Sequence, residues 1–414
     1  MGRIEQVVCC TMLALASCSF EVAPYEAVET TYTVQSLSEA EYNGIPLIFI
    51  ETDNHQLIID RSTEIPAKMR IYGKDTTQFE EYSLTIRGRG NTSWDAPKKN
   101  YKIELENKAP LLGMPQNKDW VLIPNYADKT LLKNSLAFSL SEKLGVYYTP
   151  RSDFVELYLN GEYVGVYLLC EKIKQGPNRI DLPSDSLSFI VEIDNKAREG
   201  EVIIKTNQEI PFRIHYPKNP SDEAITRLED HLNLMEYNLR LITKDSVVDI
   251  EKWVDVDAYI KHFWIQELFK NPDATFFSSI YFTWTVHEPI KMGPVWDFDL
   301  SAGGHTNKTV ISPTEWLTMD FYWNLYLFHD ATFMAKAINY WKENIDIFKS
   351  ILDDLENTRK KIKKAAEHNF YRWNVMGLED VVTFNKAYKS YDEAVDDLKQ
   401  WLETRINWIS AQVQ

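Results

Sequence analysis

The run Gly293-Pro294-Val295-Trp296-Asp297-Phe298-Asp299-Leu300-Ser301-Ala302-Gly303-Gly304 constrains this chain more than any other stretch. A Gly-Pro pair opens it and a Gly pair closes it, and between them two carboxylates interrupt Val, Trp, Phe and Leu in what reads as a buried strand. Positions i and i+2 of a strand share a face, so this reading turns Asp297 and Asp299 to one side and Trp296, Phe298 and Leu300 to the other. Ionised carboxylates in an apolar setting are costly unless a cation or a donor compensates them, and a hard divalent ion such as Mg²⁺ is the natural partner. The competing reading is an amphipathic edge strand whose acid pair faces water.

With 414 residues the chain can bury a large core, as one large domain or two lobes. Its 45 basic and 61 acidic residues give a net charge of −16, which argues against nucleic-acid binding and against a general attraction to anionic lipid. Any phosphate site must be local. The N-terminal residues 1–17 read as an export signal: Arg3 precedes an apolar run from Val7 to Ala16, too short to span a bilayer in a mature protein. Leu15-Ala16-Ser17-Cys18 is similar to a bacterial lipobox, so Cys18 is the expected lipidation site and the expected location is the cell envelope, with the protein tethered to a membrane. A plain cleaved secretory signal is the alternative. Cys170 would then be the only thiol left besides the acylated one, and its setting in Val166-Tyr167-Leu168-Leu169-Cys170 is that of a small buried hydrophobe.

After a polar tether over 18–44, residues 45–182 alternate short β-branched and aromatic runs with Asp, Asn, Gly and Pro, which predicts an antiparallel β-rich lobe. Asn160-Gly161 between two such runs predicts a type I′ hairpin. The basic, glycine-rich Arg87-Gly88-Arg89-Gly90 leads through Pro97-Lys98-Lys99 into the strand Asn100 to Leu105. Alternation there puts Tyr101, Ile103 and Leu105 on the core face with Lys99 in register, and turns Lys102 outward. Lys99 is thus the first choice for a phosphate contact, with Arg87 or Arg89 in support. Asp128 reads as the N-cap of a helix that stops at Gly145. Residues 183–250 read as inserted strands and a helix; 251–414 read as a mostly helical lobe, with a helix over Val256 to Leu268 delivering Asn271-Pro272-Asp273.

Taken together, Arg87 to Trp94, Pro97-Lys98-Lys99, Glu156 to Tyr167, Glu171-Lys172-Ile173, Asn271-Pro272-Asp273 and Pro294 to Asp299 resemble, in order, the CotH-type (spore-coat protein H) secretory kinases. The resemblance implies an α+β, atypical protein-kinase-like two-lobe fold, with a β-rich N-lobe and a mostly helical C-lobe. It implies transfer of a phosphoryl group from ATP, with Mg²⁺, to a protein hydroxyl. Asp273 would be the catalytic carboxylate, Asp297 the metal ligand with Asp299 beside it, Lys99 a phosphate contact, and the backbone near Glu171 the hinge that meets adenine. One departure stands out: many members carry a side-chain amide shortly after the catalytic Asp, where this chain has Phe276-Phe277-Ser278-Ser279. The rival from another class is a surface lipoprotein that keeps the fold without turnover and binds glycan or protein. A metal hydrolase is disfavoured, because the eight His are scattered with no paired metal spacing.

Overall fold

The computed structural model describes residues 42–414 except 76, 91, 186, 197–199, 245 and 380–385, so the expected signal segment, Cys18 and most of the tether lie outside the described residues. Seven strands come first: β1 (Leu47–Thr52), β2 (Ile65–Tyr72), β3 (Phe79–Gly88), β4 (Tyr101–Leu111), β5 (Met114–Ile123), β6 (Ser152–Leu159) and β7 (Glu162–Glu171). They form a closed barrel in the order β1-β2-β3-β4-β5-β7-β6, so the expected β-rich lobe closes on itself and is antiparallel in all but one pairing. Closure comes from one parallel pairing, with Leu47 opposite Glu156 and Ile50 opposite Leu159, and it leaves no unpaired edge. Alternation fills the interior: β2 buries Ile65, Ala67, Met69 and Ile71 and exposes Lys68 and Arg70 between them. Ile50, Met69, Ile86, Ile103, Trp120, Leu157 and Tyr167 meet in that interior. Asn160 (φ 51°) and Gly161 (φ 81°) turn β6 into β7, with both central residues left-handed as a type I′ turn requires.

Two helices interrupt the barrel strands, α1 (Thr92–Asp95) and α2 (Lys133–Lys143). Asp128 does not sit directly at the start of α2; its carboxylate reaches forward to accept the N–H groups of Thr130 and Lys133, each at 2.9 Å. A second sheet follows, built from β8 (Ser188–Ile193), β9 (Ile203–Lys205), β10 (Pro211–Tyr216), β11 (Ile280–Thr285) and β12 (Lys291–Met292) in the order β12-β11-β8-β10-β9. The strands read as an insertion thus share a sheet with strands of the expected helical lobe. The remaining helices are α3 (Asp222–Ile242), α4 (Val256–Phe269), α5 (Lys308–Ile311), α6 (Tyr322–Leu327), α7 (Ala331–Glu343), α8 (Ile345–Lys349), α9 (Ile351–Arg372) and α10 (Tyr391–Gln412), of which α3 and α4 pack on this sheet. The fold is mixed α+β. Among the described residues no helix is long and apolar enough to cross a membrane.

Helix α9 straps the barrel to the rest. Asn369 accepts from the Val166 N–H (3.0 Å) and from the Lys98 ammonium (2.8 Å), His368 meets Glu156 at 2.9 Å, and the Trp373 indole donates to Val164 O. Lys98 is fully buried, which pushes its pKa well down; its three ammonium protons are nonetheless taken by Pro124 O, Val166 O and Asn369 Oδ1. A second buried anchor joins α4 to α10, where Arg405 donates to Glu267 Oε1 at 2.6 Å and the same carboxylate accepts the N–H groups of Leu317 and Thr318.

Candidate active site

Helix α4 is stopped by Lys270 in the left-handed conformation (φ 46°), and the Lys270 ammonium donates to Ser312 O at 2.9 Å and Thr314 O at 2.6 Å. The turn that follows carries Asp273. Asn271 organises it: its side-chain oxygen accepts the Asp273 N–H at 3.2 Å, and its amide donates to Gln266 Oε1 at 3.0 Å and to Asp297 O at 3.2 Å. A single side chain therefore ties the turn bearing Asp273 to the backbone bearing Asp297.

The segment after β12 is not the strand that its apolar pattern suggests. Asp297 is left-handed (φ 64°), which breaks the i, i+2 face rule, and its neighbours' hydrogen bonds go elsewhere: the Phe298 N–H donates to Asn134 Oδ1 of α2 at 2.8 Å. Asp is among the few residues that enter this region without great strain. Trp296 and Phe298 are buried, Phe298 edge-on to Phe269, whereas Asp297 is exposed and Asp299 is partly exposed.

Asp273, Asp297 and Asp299 lie in one neighbourhood, where the Asp297 charge bears on Asp273 and both bear on Asp299. Asp273 is pushed up to about 7, first by loss of hydration and then by the Asp297 charge, with Lys196 opposing. Asp299 is raised well above the carboxylate range by burial and by both other acids, with Lys133 opposing. Asp297 is also raised: protein surrounding it outweighs the pull of Arg89 and Lys196, even though its carboxylate reaches solvent. The Ser279 hydroxyl lies 3.4 Å from Asp297 Oδ2. Like charges pressed together in this way are relieved by a cation.

Of the expected cations only Arg89 is brought to the acids, its guanidinium lying 5.4 Å over the Trp296 ring. Lys99 points away; it donates to Trp94 O at 2.8 Å and lies over the Trp94 ring, because the chain turns at α1 before β4 begins. Arg87 donates to Arg61 O and Gly88 O and faces Glu64, fixing the loop before β2. The Glu171 side chain is wholly buried among Arg151, Arg179 and Tyr148, and its N–H donates to Arg151 O, so neither is directed outward. The expectation missed Lys102 and Lys172. Both gather around Asp119, at 3.6 and 3.8 Å, with Lys174 at 2.5 Å, on the outer face of the barrel. Lys172 is pushed down to about 8 by burial, with Asp119 opposing and Lys102, Lys174 and Arg89 adding to the fall. The signal for Lys102 was present in its outward register, and Lys172 stands in the Glu171-Lys172-Ile173 run of the resemblance, whereas Lys196 carries no local signal.

Among the described residues no group of three or more His, Cys, Asp or Glu is arranged to hold a metal ion. Mg²⁺ is commonly held by one or two carboxylates, with substrate phosphates and water completing its shell, so Asp297 and Asp299, both raised, fit such an ion. A concavity of about 550 Å³, lined by residues such as Asp257, Lys336 and Tyr340, contains none of the acids; another of about 240 Å³ lies behind Asp299, lined by Lys133, Gly304 and Trp401.

A closed barrel, a second, antiparallel sheet with helices, and neighbouring carboxylates with cations beside them make up the scaffold and the site. The family model for CotH, described as CotH kinase protein, matches residues 86–409, most of the chain, and the chain belongs to that family. No curated protein matches it.

Proposed function

We propose that the protein transfers the terminal phosphoryl group of ATP to a hydroxyl of a protein acceptor in the cell envelope, where a lipid on Cys18 tethers it. The observation that carries this reading is the convergence of Asp273 with Asp297 and Asp299 through the Asn271 side chain. Phosphoryl transfer needs positioning and electrostatics more than covalent chemistry. In this account Asp273 accepts the acceptor hydroxyl's proton. Asp297 and Asp299 would hold Mg²⁺, which when bound neutralises and orients phosphate oxygens. Arg89, with Lys102 and Lys172 behind it, supplies the positive side of a cleft that is otherwise acidic. The role first assigned to Lys99 passes to these residues.

One observation favours the second reading, a kinase-like binding lipoprotein without turnover. Ser278 and Ser279 offer hydroxyls where a side-chain amide would be the better Mg²⁺ ligand. Incubation of the chain with Mg²⁺, γ-labelled ATP and envelope protein, followed by mass spectrometry, separates the two. Phosphorylated Ser, Thr or Tyr is expected, and absence of any labelled product favours the binding reading.

A further inference from the structure

The segment after Asp273, Ala274-Thr275-Phe276-Phe277-Ser278-Ser279, carries no cation, so nothing local balances charge on a phosphate placed beside that carboxylate. Another element delivers one. Strand β8 leaves the centre of its sheet into Asp194-Asn195-Lys196, and this turn is fastened to the Asp273 segment. The Asn195 N–H donates to Phe277 O at 2.9 Å, and the Asn195 side-chain amide donates to Phe276 O at 3.1 Å. Asp194 Oδ1 accepts the Lys196 N–H at 2.8 Å, closing the turn. The Phe277 N–H in turn donates to Asp273 O at 3.0 Å. The Lys196 ammonium lies 4.9 Å over the Phe277 ring, partly exposed. Its charge reaches both Asp273 and Asp297, and it forms no ion pair with either. A lysine held on an aromatic face beside two carboxylates, with no ion pair to either among the described residues, can meet a third anionic group between them.

We propose that Lys196 is a catalytic residue that contacts the terminal phosphate of the bound nucleoside triphosphate, reaching the site from the β8 turn. The inference rests on the kinase reading. In the step it serves, the acceptor oxygen forms a bond to the terminal phosphorus. The bond from that phosphorus to the bridging oxygen breaks, its electron pair leaving on the nucleoside diphosphate. The hydroxyl proton passes to Asp273, and Lys196 balances charge on the peripheral oxygens of the phosphoryl group. Arg89 and Lys196 then flank the acids from opposite parts of the chain, one from the barrel and one from the second sheet.

Calorimetric titration of the full chain in Mg²⁺ tests this, with a non-hydrolysable ATP analogue and with ADP as the probes. Lys196→Ala should weaken the triphosphate analogue by about tenfold or more and leave ADP within about twofold, since only the former carries the terminal phosphate. Lys196→Arg should recover most of the loss. Equal losses for both probes, or no loss for either, overturn the assignment while leaving the kinase reading intact. If the wild type binds neither probe, the kinase reading itself fails and the Lys196 assignment goes with it.

Discussion

Asp273 shares its site with two other acids and keeps its proton to about pH 7. A base with that affinity is half-ready at neutral pH in the metal-free protein, and Mg²⁺ on Asp297 lowers it, so kcat/KM for the acceptor should rise about tenfold per unit at acid pH and level off at or below about pH 7. Asp273→Asn should lower transfer by about a hundredfold or more while nucleotide affinity stays within about twofold, because the carboxylate acts on the acceptor. Initial rates and calorimetry on one preparation check both halves; near-normal turnover would reduce Asp273 to a turn residue. The same shift makes a stability prediction. The unfolded chain releases this proton near 3.8 and the folded chain near 7, so between these values the fold binds more protons, and metal-free stability falls as pH rises through that window. Asp273→Asn should therefore be more stable than wild type to urea at about pH 8, with the difference gone below about pH 4.

At the scale of elements, α2 supports the acidic segment. Asn134 accepts the Phe298 N–H and donates to Asn125 Oδ1 at 2.9 Å, while the Lys133 ammonium donates to Asp299 O at 3.2 Å. Asn134→Ala strands a buried N–H, which costs about 1–3 kcal/mol in urea unfolding, and it should also weaken Mg²⁺-dependent nucleotide binding, since Phe298 lies between the two acids. Unchanged binding would mean that the segment holds its shape unaided. Much at this scale was legible in the sequence. The Asn160-Gly161 hairpin and α4 follow from local rules, and residues 256–268 differ from the observed α4 by one residue at its end. The Asp297 segment was misread because Val-Trp-Phe-Leu spacing is the same in a strand and in an irregular buried run; only the distant Asn134 and Asn271 reveal which it is. The cations were partly legible for the same reason. Arg89 was named, whereas Lys196 comes from a turn with no mark of its own, and the position of Lys99 depends on the path of α1.

For the whole molecule, barrel closure could not be read locally because it rests on β1 pairing with β6, far apart in sequence. Helix α9 then fixes the barrel, and with it Arg89, against the part that carries the acids. Under the proposed function this assembly brings Mg²⁺ and a nucleoside triphosphate together. Asp297 raises the proton affinity of Asp273, and both raise that of Asp299; acids so placed repel a bare nucleotide, and a divalent ion relieves both sides at once. The most direct measurement is thermal unfolding of the wild type and of Asp297→Ala with Mg²⁺, with ATP, and with both. The account predicts that the wild type gains more from Mg²⁺ and ATP together than from the sum of each alone, and that Asp297→Ala loses most of that gain while its metal-free form is as stable or slightly more so. A wild type that shows no joint gain with any nucleoside triphosphate would contradict it.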